Sequence, residues 1–189
     1  MANKVEFGIS KLHVGLFTTG NDGEVTMGNP VAIPGAVSFS PEAQVEDYTF
    51  YADNVAYWSD YSEGKIEGDL EVAKFPDTFL TSFMGMVALP GGGIGSVRGA
   101  AKPDVYVMFQ VEGDAESRRI ILYNGKFGAI KHDHKTIEES KEVETETVSA
   151  SFIGDQLTGL TKSVYKPGDD AYDDFFTSPP APSLEAESE

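Results

Sequence analysis

Few residues in this chain have types and spacings that could do chemistry. His132-Asp133-His134 sets two imidazoles on one side of an extended chain, a spacing that holds a metal when further ligands converge. The remaining histidine is His13 and the chain has no cysteine, so no thiolate can complete such a site or act as a nucleophile. A polar strand end explains these residues more simply. Gly91-Gly92-Gly93-Ile94-Gly95 offers flexible backbone, but a phosphate-binding loop needs Gly-Lys-Ser/Thr opening a helix, and a dinucleotide fingerprint needs a strand before and a helix after. Here Pro103 and a strand pattern follow the glycines, which reads as a flexible loop. Carboxylates are abundant, but acid–base work requires two of them flanking a substrate in a cleft, and spacing alone places no pair there. No serine lies in a Gly-x-Ser-x-Gly elbow, and three scattered histidines do not form a triad. The expectation is a protein that is not an enzyme and carries neither cofactor nor metal.

The elements that would hold such residues are bounded by composition. A chain of 189 residues, 40% hydrophobic and 11% aromatic, fits one domain with a real core. Its apolar runs, such as Met84 to Leu89 and Val105 to Phe109, fall far short of the roughly 18 to 20 residues of a membrane span. The N-terminus lacks the pattern of a secretory signal, so synthesis and folding are expected in the cytoplasm. The formal charge of −17, from 31 acidic and 14 basic residues, comes without a Lys/Arg cluster. Counterion release cannot then drive tight nucleic-acid binding, although a strongly acidic surface can repel DNA and keep a protein soluble.

The pattern along the chain is of strands separated by turns. A strand is expected near Val5 to Thr18, then a turn at Thr19-Gly20-Asn21-Asp22-Gly23 and a return strand or loop to Ile33. Ala36 to Glu46 alternates, with an edge or bulge at Pro41. Tyr48 to Trp58 is aromatic and strand-favouring, around a polar Asp53-Asn54 turn. Lys65 to Ala73 alternates most cleanly: Ile66, Gly68, Leu70 and Val72 against Lys65, Glu67, Asp69 and Glu71. Pro76 to Gly85 reads as one short amphipathic helix, with Pro early, Asp77 in the first turn, Phe79, Leu80 and Phe83 on a face, and Gly85 as a stop. Pro90 to Pro103 is a flexible connection to a strand at Val105 to Val111. Asn124-Gly125 signals a two-residue hairpin between Arg118–Tyr123 and Phe127–Lys131. Ile137 to Ile153 is a long strand carrying Glu142, Glu144 and Glu146 on one side, and Leu157 to Tyr165 a last short one. The domain is expected to span residues 1–166, and the acidic, Pro-rich residues 167–189 to form a flexible tail.

The order of these segments resembles the major tail tube proteins of long-tailed (siphovirus) bacteriophages. The likeness rests on Lys4-Val5-Glu6-Phe7-Gly8, Leu12-His13-Val14-Gly15, Gly35-Ala36-Val37-Ser38-Phe39-Ser40-Pro41-Glu42 and Phe50-Tyr51-Ala52-Asp53-Asn54. It continues through Gly64-Lys65-Ile66-Glu67-Gly68-Asp69-Leu70-Glu71-Val72, the helix from Phe75, Val105-Tyr106-Val107-Met108-Phe109, Tyr123-Asn124-Gly125-Lys126-Phe127 and Lys135-Thr136. It covers about residues 4 to 165. The three consecutive glycines and the acidic Pro-rich end depart from the pattern.

The resemblance implies a mainly β fold: an antiparallel β-sandwich or half-barrel with one short flanking helix, similar to tube proteins of contractile tails and type VI secretion. It implies homohexameric rings stacked into a hollow virion tail tube around a tape-measure protein, with terminator and distal tail proteins at the ends and DNA passing through without specific binding. Lumen candidates are Glu67, Asp69 and Glu71, then Glu142, Glu144 and Glu146, since carboxylates there would repel phosphate; an outward solvated face is the alternative for each set. Tyr48, Tyr51, Tyr57, Trp58 and Tyr61 around Asp53 and Asn54 are candidates for ring stacking or subunit contact, with a core role open for some. The Thr19 to Pro30 segment, the Gly-rich loop and the tail would order on stacking. A capsid decoration or fibre subunit would share the acidic strands and the lack of catalytic residues.

Overall fold

The computed structural model describes residues 8–113, 116–132 and 144–184. Its strands are β1 (Gly8–Thr19), β2 (Val25–Met27), β3 (Val31–Ala32), β4 (Ala36–Phe39), β5 (Glu42–Ala52) and β6 (Val55–Val72). One helix, α1 (Asp77–Ser82), precedes β7 (Val87–Ala88), β8 (Ile94–Gly95), β9 (Val105–Glu112), β10 (Arg119–His132), β11 (Glu146–Phe152) and β12 (Lys162–Tyr165). Among the described residues no helix is long and apolar enough to cross a membrane.

The strands form a ten-stranded antiparallel sheet in the order β2-β1-β9-β10-β11-β6-β4, with β3 on β1, β5 on β6 and β12 on β10. The sheet curls until β1 approaches β4, enclosing a core of Leu12, Val14, Leu70, Val72, Val105, Val107, Leu122, Val148 and Phe152. The fold is thus the expected mainly antiparallel β-sandwich or half-barrel with one short flanking helix. Pro76 caps α1 in an extended conformation, and Phe79 is buried on it, stacked on Phe75 at 4.4 Å and tilted against Phe127 at 5.0 Å. The helix ends at Phe83, and Gly85 turns the chain with φ +69.

β9 is covered on both faces. Val105, Val107, Phe109 and Val111 enter the main core, while Tyr106 and Met108 join Phe17, Ile121 and Tyr123 in a second cluster behind the sheet. Burial on both sides accounts for the unbroken apolar run Val105–Phe109.

Several expectations are corrected. Asn124-Gly125 is not a hairpin turn: β10 runs through it, and the register against β9 shifts between Leu122 and Gly125. Asn124 takes φ +49, so the Asn-Gly pair supplies a β-bulge, which needs the same left-handed backbone as a tight turn. The buried Asn124 side chain donates to the Gly154 carbonyl at 2.9 Å and ties the bulge to the end of β11. The strand expected from Ile137 begins at Glu146, residues 137–143 lying outside the described residues, and the last strand begins at Lys162, after a turn around Asp155 to Thr158. The Gly-rich connection contains β8, paired with β7, and Val25–Met27 pairs with Phe17–Thr19.

The segment after Pro167, expected as a flexible tail, lies against the second cluster as far as it is described. Phe175 is fully buried there. Phe176 lies tilted against the His13 ring at 4.8 Å, the Arg119 guanidinium lies 3.8 Å from the Tyr172 ring centre, and Tyr123 Oη donates to the Pro180 carbonyl at 3.1 Å. Aromatic burial outweighs the solvation of its aspartates.

Candidate functional site

Two surfaces carry the residues singled out by sequence. The first is the outer face of β6. Alternation along this strand sends Ile66, Leu70 and Val72 into the core and turns Glu67, Asp69 and Glu71 out, about 7 Å apart along the strand. Gly68 lies in the inward row because the Ser40 carbonyl and Pro41 fill the space a Cβ would need.

The three acids stand between rows of small hydroxyl side chains. Across the ladder Glu67 faces Ser151, Asp69 faces Ser149 and Glu71 faces Thr147. On the other side Ser38 is opposite Glu71, and its Oγ donates to Glu71 Oε2 at 3.1 Å. Thr145 Oγ1 donates to Glu71 Oε1 at 2.5 Å. Glu42 is directly opposite Glu67, a like-charge pairing that costs stability; Lys65 Nζ at 2.7 Å from Glu67 Oε1 offsets it. The result is a shallow, open groove of about 850 Å³ with a serine, threonine and carboxylate lining and Lys126 at one side.

Of the second acidic set, Glu146 does not share this face. Glu142 lies outside the described residues, and Glu144 is exposed ahead of β11. Glu146 is the cross-strand partner of the buried Val72. Its Oε2 accepts the Phe75 N–H at 2.7 Å, and its Oε1 lies 3.3 Å from His132 Nδ1. Glu146 therefore anchors the entry to α1 from the core side of the sheet. Its one-sided alternation with Glu142 and Glu144 gave no sign of that.

The second surface is the β5–β6 hairpin. β11 accompanies β6 only from Val72 to Ile66, after which β5 and β6 continue as a two-stranded ribbon to a turn at Asp53-Asn54, whose φ values are +52 and +62. Both residues in the left-handed region make a tight turn that matches strand twist. Tyr48, Tyr51, Tyr57, Trp58 and Tyr61 are all on this ribbon and all more than half exposed, Tyr57 at 76%. Phe50, Val45 and Val55 are equally open, though only the tyrosines and tryptophan were singled out by residue type. Among the described residues nothing fills the core role left open for the aromatics. Tyr48 meets Trp58 edge to face at 5.9 Å. The pairings Phe50 with Trp58 and Tyr48 with Asp60 put Tyr48, Phe50 and Trp58 on the side of β5 that also carries Glu42, while Tyr61, opposite Asp47, lies on the other face.

Of the histidines, His13 sits on β1 against Phe176, and its Nδ1–H donates to the Lys11 carbonyl at 2.8 Å. Asp133 and His134 lie outside the described residues. Among the described residues no group of three or more His, Asp or Glu could hold a metal ion.

No family model matches the sequence, and no curated protein matches it. Among solved structures the fold is similar to the tube terminating cap of the anti-feeding prophage, with a TM-score of 0.51 at 9% identity over 86% of this chain and 93% of that one. It also aligns with an extracellular contractile injection system, PVC. The sheath-tube complex in the extended state gives 0.47 at 10% identity over 82% of this chain and 88% of that one. The sheath/tube terminator gives 0.46 at 8% identity over 86% and 98%. At these identities the first likeness speaks for the fold alone, and the two lower scores add nothing to it. The architecture is tail-tube-like, and the likeness that supports this is to the anti-feeding prophage cap rather than specifically to a siphovirus tail protein.

Proposed function

We propose that this chain is a structural subunit of a tail tube, the major tail protein of a long-tailed phage, and that it works by assembling with copies of itself. The observation that carries this reading is the β5–β6 ribbon. An isolated two-stranded hairpin is marginal in water, and this one leaves Tyr48, Phe50, Tyr51, Tyr57, Trp58 and Tyr61 open with β6 as the only partner of β5 among the described residues. Removing each large apolar side chain from water contributes about 1.5–3 kcal/mol. Summed over both faces of the ribbon, these side chains reach the scale of the ~4–15 kcal/mol lost on association.

In this reading copies close into hexameric rings through a heterologous contact, and rings stack through the ribbon. Glu67, Asp69 and Glu71 face the lumen, where a low-relief lining of carboxylates and hydroxyls repels phosphate and lets DNA slide. A tape-measure protein fills the lumen before DNA does, terminator and distal tail proteins close the ends, and the subunit performs no catalysis. Negative-stain microscopy of the concentrated protein tests this: hollow tubes or rings are expected, and solid fibres or discrete trimers would favour a fibre or decoration subunit.

A further inference from the structure

Asn124-Gly125 is the one Asn-Gly pair in the chain, and the fold needs both residues where they stand. Asn124 takes φ +49 at the bulge of β10, a left-handed backbone that asparagine tolerates. Gly125 lies opposite Phe152, whose ring fills the space a Cβ would need. The same pair is chemically labile in an open chain, because no side chain on residue 125 shields its main-chain nitrogen. That nitrogen, once deprotonated, attacks Asn124 Cγ. The new N–C bond closes a succinimide ring, the Cγ–Nδ2 bond breaks, and ammonia leaves carrying the proton that the nitrogen gave up. Water then adds at a ring carbonyl and opens the ring to aspartate, or to isoaspartate, whose main chain runs through the side-chain carbon.

The folded chain holds these atoms away from that reaction. Asn124 and Gly125 are both buried, which keeps water from them. Asn124 Nδ2 donates to the Gly154 carbonyl at 2.9 Å, and the Asn124 carbonyl accepts the Ile153 N–H at 3.0 Å. Gly125 is paired with Val105 of β9 on one edge and with Phe152 of β11 on the other. Ring closure must turn the carboxamide off Gly154 and swing the peptide out of both ladders. The product does not fit the site either. Aspartate has no N–H for the Gly154 carbonyl and buries a charge. It does so beside a turn that already buries Asp155, whose Oδ1 has no hydrogen-bond partner among the described residues. Isoaspartate lengthens β10 between β9 and β11, and a slipped register turns core side chains to the wrong face.

We propose that Asn124 is a modification site gated by folding: its side-chain amide is hydrolysed through the Gly125 nitrogen only when β10 opens, and the product does not return to the native bulge. The reaction needs no partner besides water, so the inference stands apart from the self-assembly reading. It makes residue 124 a lasting mark of chains that have unfolded.

Peptide mass spectrometry on the wild-type chain tests it. The protein is held at mildly alkaline pH in buffer, with folding followed by circular dichroism, and in denaturing guanidinium chloride at the same pH and temperature. Conversion of amide to acid is read in the tryptic peptide Ile120 to Lys126, in which Asn124 is the only amide side chain. Conversion in denaturant is expected to be at least about a hundredfold faster, because only the opened fraction of the folded protein reacts. Equal rates in the folded and denatured protein would overturn the inference. Asn124→Asp, which supplies one product directly, should raise the unfolding equilibrium constant at least about tenfold, equivalent to ~1.4 kcal/mol. Wild-type stability in that variant would overturn the one-way step. Should the variant not fold at all, the loss exceeds this expectation, and the rate comparison on the wild type still decides the gating.

Discussion

The rings of Tyr48 and Trp58 meet edge to face across the β5–β6 ribbon, 5.9 Å apart, while 62% of Tyr48 and 51% of Trp58 stay exposed. The pair braces the ribbon and presents it at once. Replacing both with alanine is expected to cost the subunit no more than about 1.5 kcal/mol, the scale of an aromatic pair. It should raise the concentration needed for assembly by about 30-fold or more, as loss of an interface hot spot worth at least ~2 kcal/mol does. Thermal melting and sedimentation of the same variant separate the two effects.

Charge reversal of Glu67, Asp69 and Glu71 to lysine should leave tubes intact and impair DNA delivery, because phosphate would then meet cations along the proposed lumen. Particles carrying the triple variant would be counted by microscopy and scored for infectivity. Normal infectivity would place these residues elsewhere.

Phe175→Ala should destabilise the subunit by about 3–5 kcal/mol, the usual cost of emptying a buried phenylalanine site. Denaturant unfolding measures it. An unchanged midpoint would mean that the segment is not part of the fold.

Gly125→Ala tests the bulge. A Cβ at Gly125 would run into the Phe152 ring, so overpacking by about 1–3 kcal/mol is expected. In a solvent-facing hairpin turn the same change would meet no side chain, and a variant as stable as wild type would contradict the continuous β10.

Stability should fall with alkaline pH. Burial raises the pKa of both Tyr106 and Tyr123 well above the ordinary 10.0, and their hydroxyls donate to the Gly28 and Pro180 carbonyls. In the unfolded chain these phenols lose their protons near pH 10 while the folded ones keep them, so the unfolded state binds fewer protons above that pH. Their contribution is therefore complete below about pH 10 and is lost progressively above it. Tyrosine absorbance should show two phenols titrating only as the protein unfolds.

Sequence made some of these features legible and hid others for identifiable reasons. The Glu67–Glu71 row could be read because one strand face is core and the other solvent, which period-2 alternation records directly. The Asp53-Asn54 turn could be read for a similar reason, since both residues tolerate positive φ and strand-forming aromatics flank them. Asn124-Gly125 carries the same local signal, but β9 and β11 flank that strand on both edges, and pairing with distant strands decides between a bulge and a turn. The C-terminal segment was masked by its aspartates and prolines; Tyr172, Phe175 and Phe176 within it were the available sign of burial. Glu146 was grouped with its neighbours by alternation, and only the position of Phe75 shows what it binds.

Self-assembly through the ribbon is the claim on which the lumen assignment depends. Electron microscopy of the purified protein at high concentration tests it most directly. Hollow tubes or closed rings with the Asp53-Asn54 ribbons bridging adjacent copies are expected. A strictly monomeric protein at every concentration and salt condition would contradict it.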